Sequence, residues 1–152
     1  MTGRRHLWIL LAIAALAGCD EIRNIHVRDY EAWKRLPDGD KSWFPDNLPP
    51  TAHDIHITYD LDTNATNVAF EISADSLGNL ERKLKESMPG HVVWPRMLVN
   101  EPWWPTALNN RFYEEAVRVG LKFFTYQERR GKHTLDWGCA VDSKTLNVYF
   151  WY

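Results

Sequence analysis

Between Asp54 and Ile72 apolar and polar residues alternate with a period of two, a pattern that a helix cannot bury and a strand can. Ile55, Ile57, Tyr59 and Leu61 fall on one side of an extended chain, with Asp54, His56, Thr58 and Asp60 on the other. After the Asx-rich run 62–67 the alternation resumes with Val68, Phe70 and Ile72. Pairing Leu61 with Val68, Tyr59 with Phe70 and Ile57 with Ile72 keeps every apolar side chain on one face, so a hairpin is predicted.

The last third repeats this logic. Residues 121–127 carry Phe123, Phe124 and Tyr126, the stretch from Glu128 to Lys132 turns the chain, and residues 133–141 return. In the final hairpin Leu135, Trp137, Cys139 and Val141 are set against Tyr152, Phe150, Val148 and Leu146, across a turn at 142–145. That register puts Tyr149 opposite Gly138, where an aromatic ring can cover the bare backbone. The strand from Leu146 to Tyr152 also offers an edge for pairing with another chain.

Helical spacing is confined to shorter stretches. Asp29 can cap a helix to Leu36, ended by Pro37-Asp38-Gly39-Asp40. Ser73 or Asp75 starts a second, running to about Met88, with Leu77, Leu80, Leu84 and Met88 along one side and Glu81 facing Lys85 on the other. Asn109 or Asn110 starts a third, to about Val119, with Phe112, Ala116 and Val119 as its stripe and Gly120 as its stop. Three prolines make residues 41–50 an extended strap pinned by Trp43, Phe44 and Leu48. The expectation is one α+β domain with about five mainly antiparallel strands, two hairpins and two main helices.

The beginning of the chain has a different character. Arg4 and Arg5 precede an uncharged apolar run over residues 7–17, which as a helix would reach about 17 Å against a hydrocarbon core of about 30 Å. Too short to span, it fits the apolar region of a signal peptide. Leu16-Ala17-Gly18-Cys19 closes it, and the whole leader resembles the lipobox signal peptide of bacterial lipoproteins. The resemblance implies diacylation of the Cys19 sulfur, cleavage before Cys19 and acylation of the new amine. It further implies a signal peptide over 1–18, a lipid-anchored leash over 19–28 and a single domain over 29–152. Two or more acyl chains hold a protein stably on a membrane where one would not. The implied location is the bacterial cell membrane, with the domain facing the periplasm. Asp20 resembles the retention signal of the inner membrane in enteric bacteria.

The formal charge of the chain is −2, and it becomes −4 once Arg4 and Arg5 leave with the leader. With no basic patch beyond Arg129-Arg130-Gly131-Lys132, which reads as a hairpin tip, no nucleic-acid partner is expected. Of two cysteines, acylation of Cys19 leaves Cys139 alone, so no disulfide and no disulfide-linked partner is expected. The mature part is rich in tryptophan, and three of these residues, Trp94, Trp103 and Trp104, adjoin prolines in the irregular stretch 91–108.

No catalytic set stands out, and no cofactor or metal is assigned. His53 and His56 are three apart and face opposite ways on a strand, which leaves Asp54 and His56 as a two-ligand set, too few for a metal. The run from Asp60 to Ala65, with Glu71 eleven residues after Asp60, approaches a calcium loop. Ala65 stands where the sharp turn wants glycine, and a hairpin turn accounts for the same residues. Cys139 shares the parity of the buried strand positions and reads as an inert thiol. Trp94, Trp103 and Trp104 therefore become the candidate binding surface, set against the plainer reading that they finish the core. Three functions follow: an interaction protein of the envelope with an inhibitor, immunity or assembly role; a glycan or small-ligand binder using the tryptophan loop; and a hydrolase using Asp54 and His56 with Asp60 or Glu71. The first is preferred, because a catalytic set is missing.

Overall fold

The computed structural model describes residues 22–96 and 99–152. The leader, Cys19 and Asp20 lie outside the described residues, as do Met97 and Leu98. In chain order the elements are β1 (Ile22–Asp29), α1 (Tyr30–Lys34), α2 (Asp38–Lys41), β2 (His53–Asp60), β3 (Thr66–Glu71) and α3 (Ala74–Glu81). They continue with β4 (Lys85–Glu86), α4 (Thr106–Asn110), α5 (Tyr113–Arg118), β5 (Leu121–Arg130), β6 (His133–Asp142) and β7 (Asn147–Trp151). The strands make one seven-stranded sheet in the order β1-β2-β3-β7-β6-β5-β4, every neighbour antiparallel. Among the described residues, no helix is long and apolar enough to cross a membrane.

This architecture corrects the expected fold class. A seven-stranded antiparallel sheet with a few short helices is closer to all-β than to an α+β domain of five strands and two main helices. The helix expected to reach Met88 ends at Glu81, and Lys85–Glu86 instead pair with Thr125 and Phe124 along the edge of β5. Leu77 and Leu80 are buried and Leu84 packs beside them from the turn, while Met88 is 72% exposed. Three leucines at helical spacing served two different backbone states. The helix expected over 110–119 is two short helices, because Arg111 turns left-handed (φ 58°) between them and reaches back to the carbonyl of Pro95 at 2.8 Å. Ala116 is buried there, whereas Phe112 and Val119 are exposed. Residues 22–28, expected in a leash, form β1, whose Ile25 and Val27 pack on the first core. The strand 146–152 is no edge, since β7 lies between β3 and β6.

The capping reading holds at Asp29, whose carboxylate accepts the N–H of Ala32 at 2.8 Å, and at Ser73, whose hydroxyl accepts the N–H of Ser76 at 3.4 Å. The side-chain parity of the hairpins also holds, but their registers differ. Asp60 accepts the N–H groups of Asp62 and Thr63 and the hydroxyl of Thr63, and Asn64 turns left-handed. This tight turn lets β3 start at Thr66, so Ile57 faces Val68 and Tyr59 faces Thr66. Leu61 is left on the turn, 46% exposed. In the last hairpin Asp142 faces Asn147 and Val141 faces Val148, a slide of two residues that Leu146 absorbs at φ 61°.

The sheet carries a core on each face. On the first, Ile55, Ile57, Val68, Phe70, Trp137, Val148 and Phe150 pack under α3 and the strap, where Phe44 and Leu48 are buried and Trp43 stacks on Tyr59 at 4.7 Å. Arg130 ties the strap down by donating to the carbonyls of Ser42 and Phe44, while pairing with the buried carboxylate of Glu128. Glu128 also accepts the indole N–H of Trp137 at 2.9 Å, so the buried charge is fully engaged. On the second face Ala69, Phe123, Ala140, Tyr149 and Trp151 pack under Trp104, Leu108 and Ala116.

An aromatic does cover Gly138, but it is Trp151 rather than Tyr149. A Cβ at position 138 would lie 2.0 Å from the Trp151 indole nitrogen and 2.3 Å from a ring carbon. Gly138→Ala should therefore cost at least about 2 kcal/mol in urea unfolding, at the upper end of overpacking penalties. In a Trp151→Phe background the cost should fall well below that. Equal penalties in both backgrounds would mean that the indole is not what excludes the side chain.

Candidate functional site

Two cavities merit comparison. One of about 350 Å³ opens between the strap and the sheet and is lined by Trp43, Arg130, Trp137 and Tyr152. Arg130, the cation in its lining, is already engaged by Glu128 and the strap carbonyls, so the cavity follows from the way the strap is tied. The other, about 260 Å³, lies on the second face of β1 and β2 and is lined by Asn24, Ile25, His26, His56, Ile57, Glu101 and Trp103. Its polar groups converge.

The convergence has a backbone cause. Antiparallel pairing sets His26 of β1 directly opposite His56 of β2. Four residues of β2, from His53 to His56, oppose three of β3, from Glu71 to Ala69. The extra residue is a β-bulge, and Asp54 takes its strained position at φ 47°. From there one carboxylate oxygen, Oδ1, meets His26 Nε2 at 2.8 Å and His56 Nε2 at 3.2 Å. The two imidazoles stack at 4.1 Å with an interplanar angle of 1°, and Trp103 extends the stack over His56 at 5.2 Å.

Charge and burial set the protonation of this group. Partial burial alone would raise the Asp54 carboxyl, but the hydrogen bonds and charge of His26 and His56 outweigh it and hold Asp54 below its ordinary range. For His56, burial acts first and His26 adds like charge. Together they outweigh Asp54 and Glu101, so His56 stays neutral to lower pH than a free imidazole.

The residues singled out in the sequence fare unevenly. Trp104 is corrected as a binding residue: it is 4% exposed, donates its indole N–H to Asn109 at 3.1 Å and packs edge-on against Trp103, Tyr149 and Trp151. Trp94 is half-buried, edge-on to Phe123, and lines a separate cavity with Arg111 and Phe112. Trp103 alone of the three joins the polar cluster. Asp54 and His56 do come together, as their shared face required, whereas Asp60 is spent on its own turn and Glu71 pairs with His53 at 3.2 Å. With Asp60 and Glu71 at opposite ends of the hairpin, the calcium-loop arrangement is not formed. Cys139 is wholly buried, and burial pushes its thiol well above the ordinary range.

His26 is the residue that sequence reasoning missed. The signal was present in Ile25-His26-Val27, one period of alternation inside a stretch that otherwise reads as polar.

A family model described as the YbbD head domain matches residues 21–71, about a third of the chain. The match runs from β1 through β3 and so includes His26, Asp54 and His56, but not Trp103. No curated protein and no solved structure gives a significant match.

Both shifts make the fold less stable in acid. Because the folded-state pKa of His56 lies below its ordinary 6.5, the unfolded chain binds the extra proton first, and stability should fall as pH drops below 6.5. Asp54, lowered from 3.8, adds a second loss as pH falls through that value toward its folded pKa. Urea midpoints measured from pH 7.5 to 5 should decline for the wild type and flatten for His56→Gln. Parallel declines would remove His56 as the cause.

Proposed function

We propose that the chain is a lipid-anchored protein of the bacterial cell envelope that binds a partner protein by accepting a strand along β1. The observation that carries this reading is the free backbone edge of β1, the outermost strand on its side of the sheet among the described residues. Thr66 exchanges both backbone bonds with Tyr152 and Asp60 donates its N–H to the carbonyl of Ala65 at 2.9 Å, so in the β2–β3 register the even positions of β2 from His56 to Asp60 bond to β3. Antiparallel ladders alternate, so Ile55, Ile57 and Tyr59 bond to their β1 partners Val27, Ile25 and Arg23, while Asn24 and His26 turn their N–H and C=O groups outward. Strand addition uses such a row, with main-chain bonds for affinity and alternate side chains for specificity.

Anchoring at Cys19 narrows the partner. Three residues of extended chain span about 10 Å, so Ile22 would start the strand close to the bilayer surface. The partner is then a membrane or envelope protein with an extended segment near the headgroups. The opposite side of the sheet is less available, because β4 and the N–H of Ser87, bonded to Phe123 at 2.9 Å, occupy part of the β5 edge. A glycan platform of three tryptophans loses Trp104 to the core. A hydrolase using Asp54 and His56 with Asp60 or Glu71 loses its second carboxylate, since Asp60 is held in its own turn and Glu71 pairs with His53.

The anchor and the edge are tested separately. Cys19→Ser should abolish incorporation of labelled palmitate, and unchanged labelling would overturn the anchor. In co-purification from native envelopes in mild detergent, a membrane protein should be recovered with the wild type and with Trp103→Ala. Recovery should persist with Asn24→Ala and drop about ten-fold or more with Asn24→Pro, which removes one outward N–H from an exposed position without touching the β1–β2 ladder. Loss with Trp103→Ala and retention with Asn24→Pro would move the binding surface from the edge to the second face of the sheet.

A further inference from the structure

We infer that His26, Asp54 and His56 form a binding site for one divalent transition-metal ion of the zinc class, with Trp103 as its wall. The inference is independent of strand addition at β1. Taken from the sequence, Asp54 and His56 gave two ligands; the β1–β2 register supplies the third from the opposite strand. One ligand atom from each residue lies within 4.8 Å of the others. A tetrahedron with metal–ligand bonds of about 2.1 Å has edges of about 3.4 Å, so a small side-chain closure completes it. Two imidazoles and one carboxylate are a donor set suited to zinc and its neighbours and poorly suited to calcium or magnesium. Glu101, lining the same cavity, and a water are available for the fourth position.

The metal-free arrangement shows which part must move. Asp54 Oδ1 can accept hydrogen bonds from both imidazoles only if each Nε2 carries its proton. A metal takes both Nε2 lone pairs, so those protons shift to Nδ1 or leave, and binding weakens in acid. Parallel rings 4.1 Å apart cannot both contain one ion in their planes, so one ring must tilt out of the stack. The His56 side chain is 17% exposed and lies under Trp103, whereas the His26 side chain is 58% exposed. His26 is therefore the ring that swings, while Asp54, fixed on the bulge, and His56 are already in place. His53 sits on the other side of the bulge and pairs with Glu71, which makes it the control.

The test uses the full chain in detergent, its affinity tag removed and residual metal stripped with chelator. Zinc titrated at pH 7.5 should bind with a stoichiometry of one. His26→Gln and Asp54→Asn should each weaken binding about ten-fold or more, and His53→Gln should leave it unchanged. Copper(II) should quench tryptophan fluorescence in the wild type, and Trp103→Phe should remove most of that quenching. Since His56 helps to hold Trp103, the exposed His26 carries the test if His56 variants fail to fold. Zinc affinity equal in the wild type and His26→Gln, or reduced as much by His53→Gln, would overturn the site. So would copper quenching that persists unchanged in Trp103→Phe.

Discussion

The second layer of the protein hangs on the indole of Trp151. It lies in van der Waals contact across Gly138 of the neighbouring strand, at a distance no β-carbon could share. Its N–H is carried to the carbonyl of Val93 at 2.8 Å. One side chain thereby fixes three things: the register of β6 against β7, the height of the loop above the sheet, and the surface on which Trp104 and Phe123 pack edge-on. An irregular stretch such as 91–96 or 99–105 has few ladder bonds of its own, so its place depends on side chains that reach out from the sheet. The side chain of Asn109 does the same from the far end, accepting the N–H of Val99 at 3.3 Å and donating to its carbonyl at 2.7 Å.

A second closure joins the two ends of the chain. β3 pairs with β7 from Asn67–Trp151 to Glu71–Asn147, which fuses the N-terminal and C-terminal meanders into one sheet. The entropy of closing so long a loop grows only logarithmically with its length. Burial of both faces of β7 offsets it, since Val148 and Phe150 enter one core while Tyr149 and Trp151 enter the other. Burial also pushes the Tyr149 hydroxyl up to about 12. The sequence Val-Tyr-Phe-Trp shows a run without alternation, as an interior strand should. Its parity with Leu135–Val141 fits a two-stranded hairpin as well as an interior position.

What was legible in the sequence was parity, and what was not was register. Alternation sorts residues onto faces, and every apolar position assigned to the first core by the paired strands does face it, apart from Leu61 on its turn. Register is set by turns, and there Asn64 and Leu146 adopt left-handed conformations that their residue types do not demand. The helices failed for a related reason. Leu77, Leu80 and Leu84 fit a helix, and they equally fit a helix that stops so that the chain can bond to an open strand edge. β1 was missed because an edge strand with one face half-open needs only two core residues, Ile25 and Val27, too few for a period to declare itself.

Of the cluster around Asp54, spacing places Asp54 and His56 on one strand face and cannot supply His26. The cluster needs one residue contributed by each of two strands at matched positions, and a bulge that no residue type announces. Its setting gives it meaning. From β3 to β5 the second face of the sheet is sealed by aromatic packing. Over β1 and β2 it carries Asn24, His26, His56 and Thr58, with Thr58 donating its hydroxyl to Asn24. Trp103 stands at the boundary, its edge against Trp104 on the sealed side and its face on His56 on the polar side. A sheet that needed only stability could have extended its apolar cover across those two strands. The strained Asp54, the stacked imidazoles and the exposed carboxylate of Glu101 all lie where that cover stops, which is where chemistry with a ligand has room to occur.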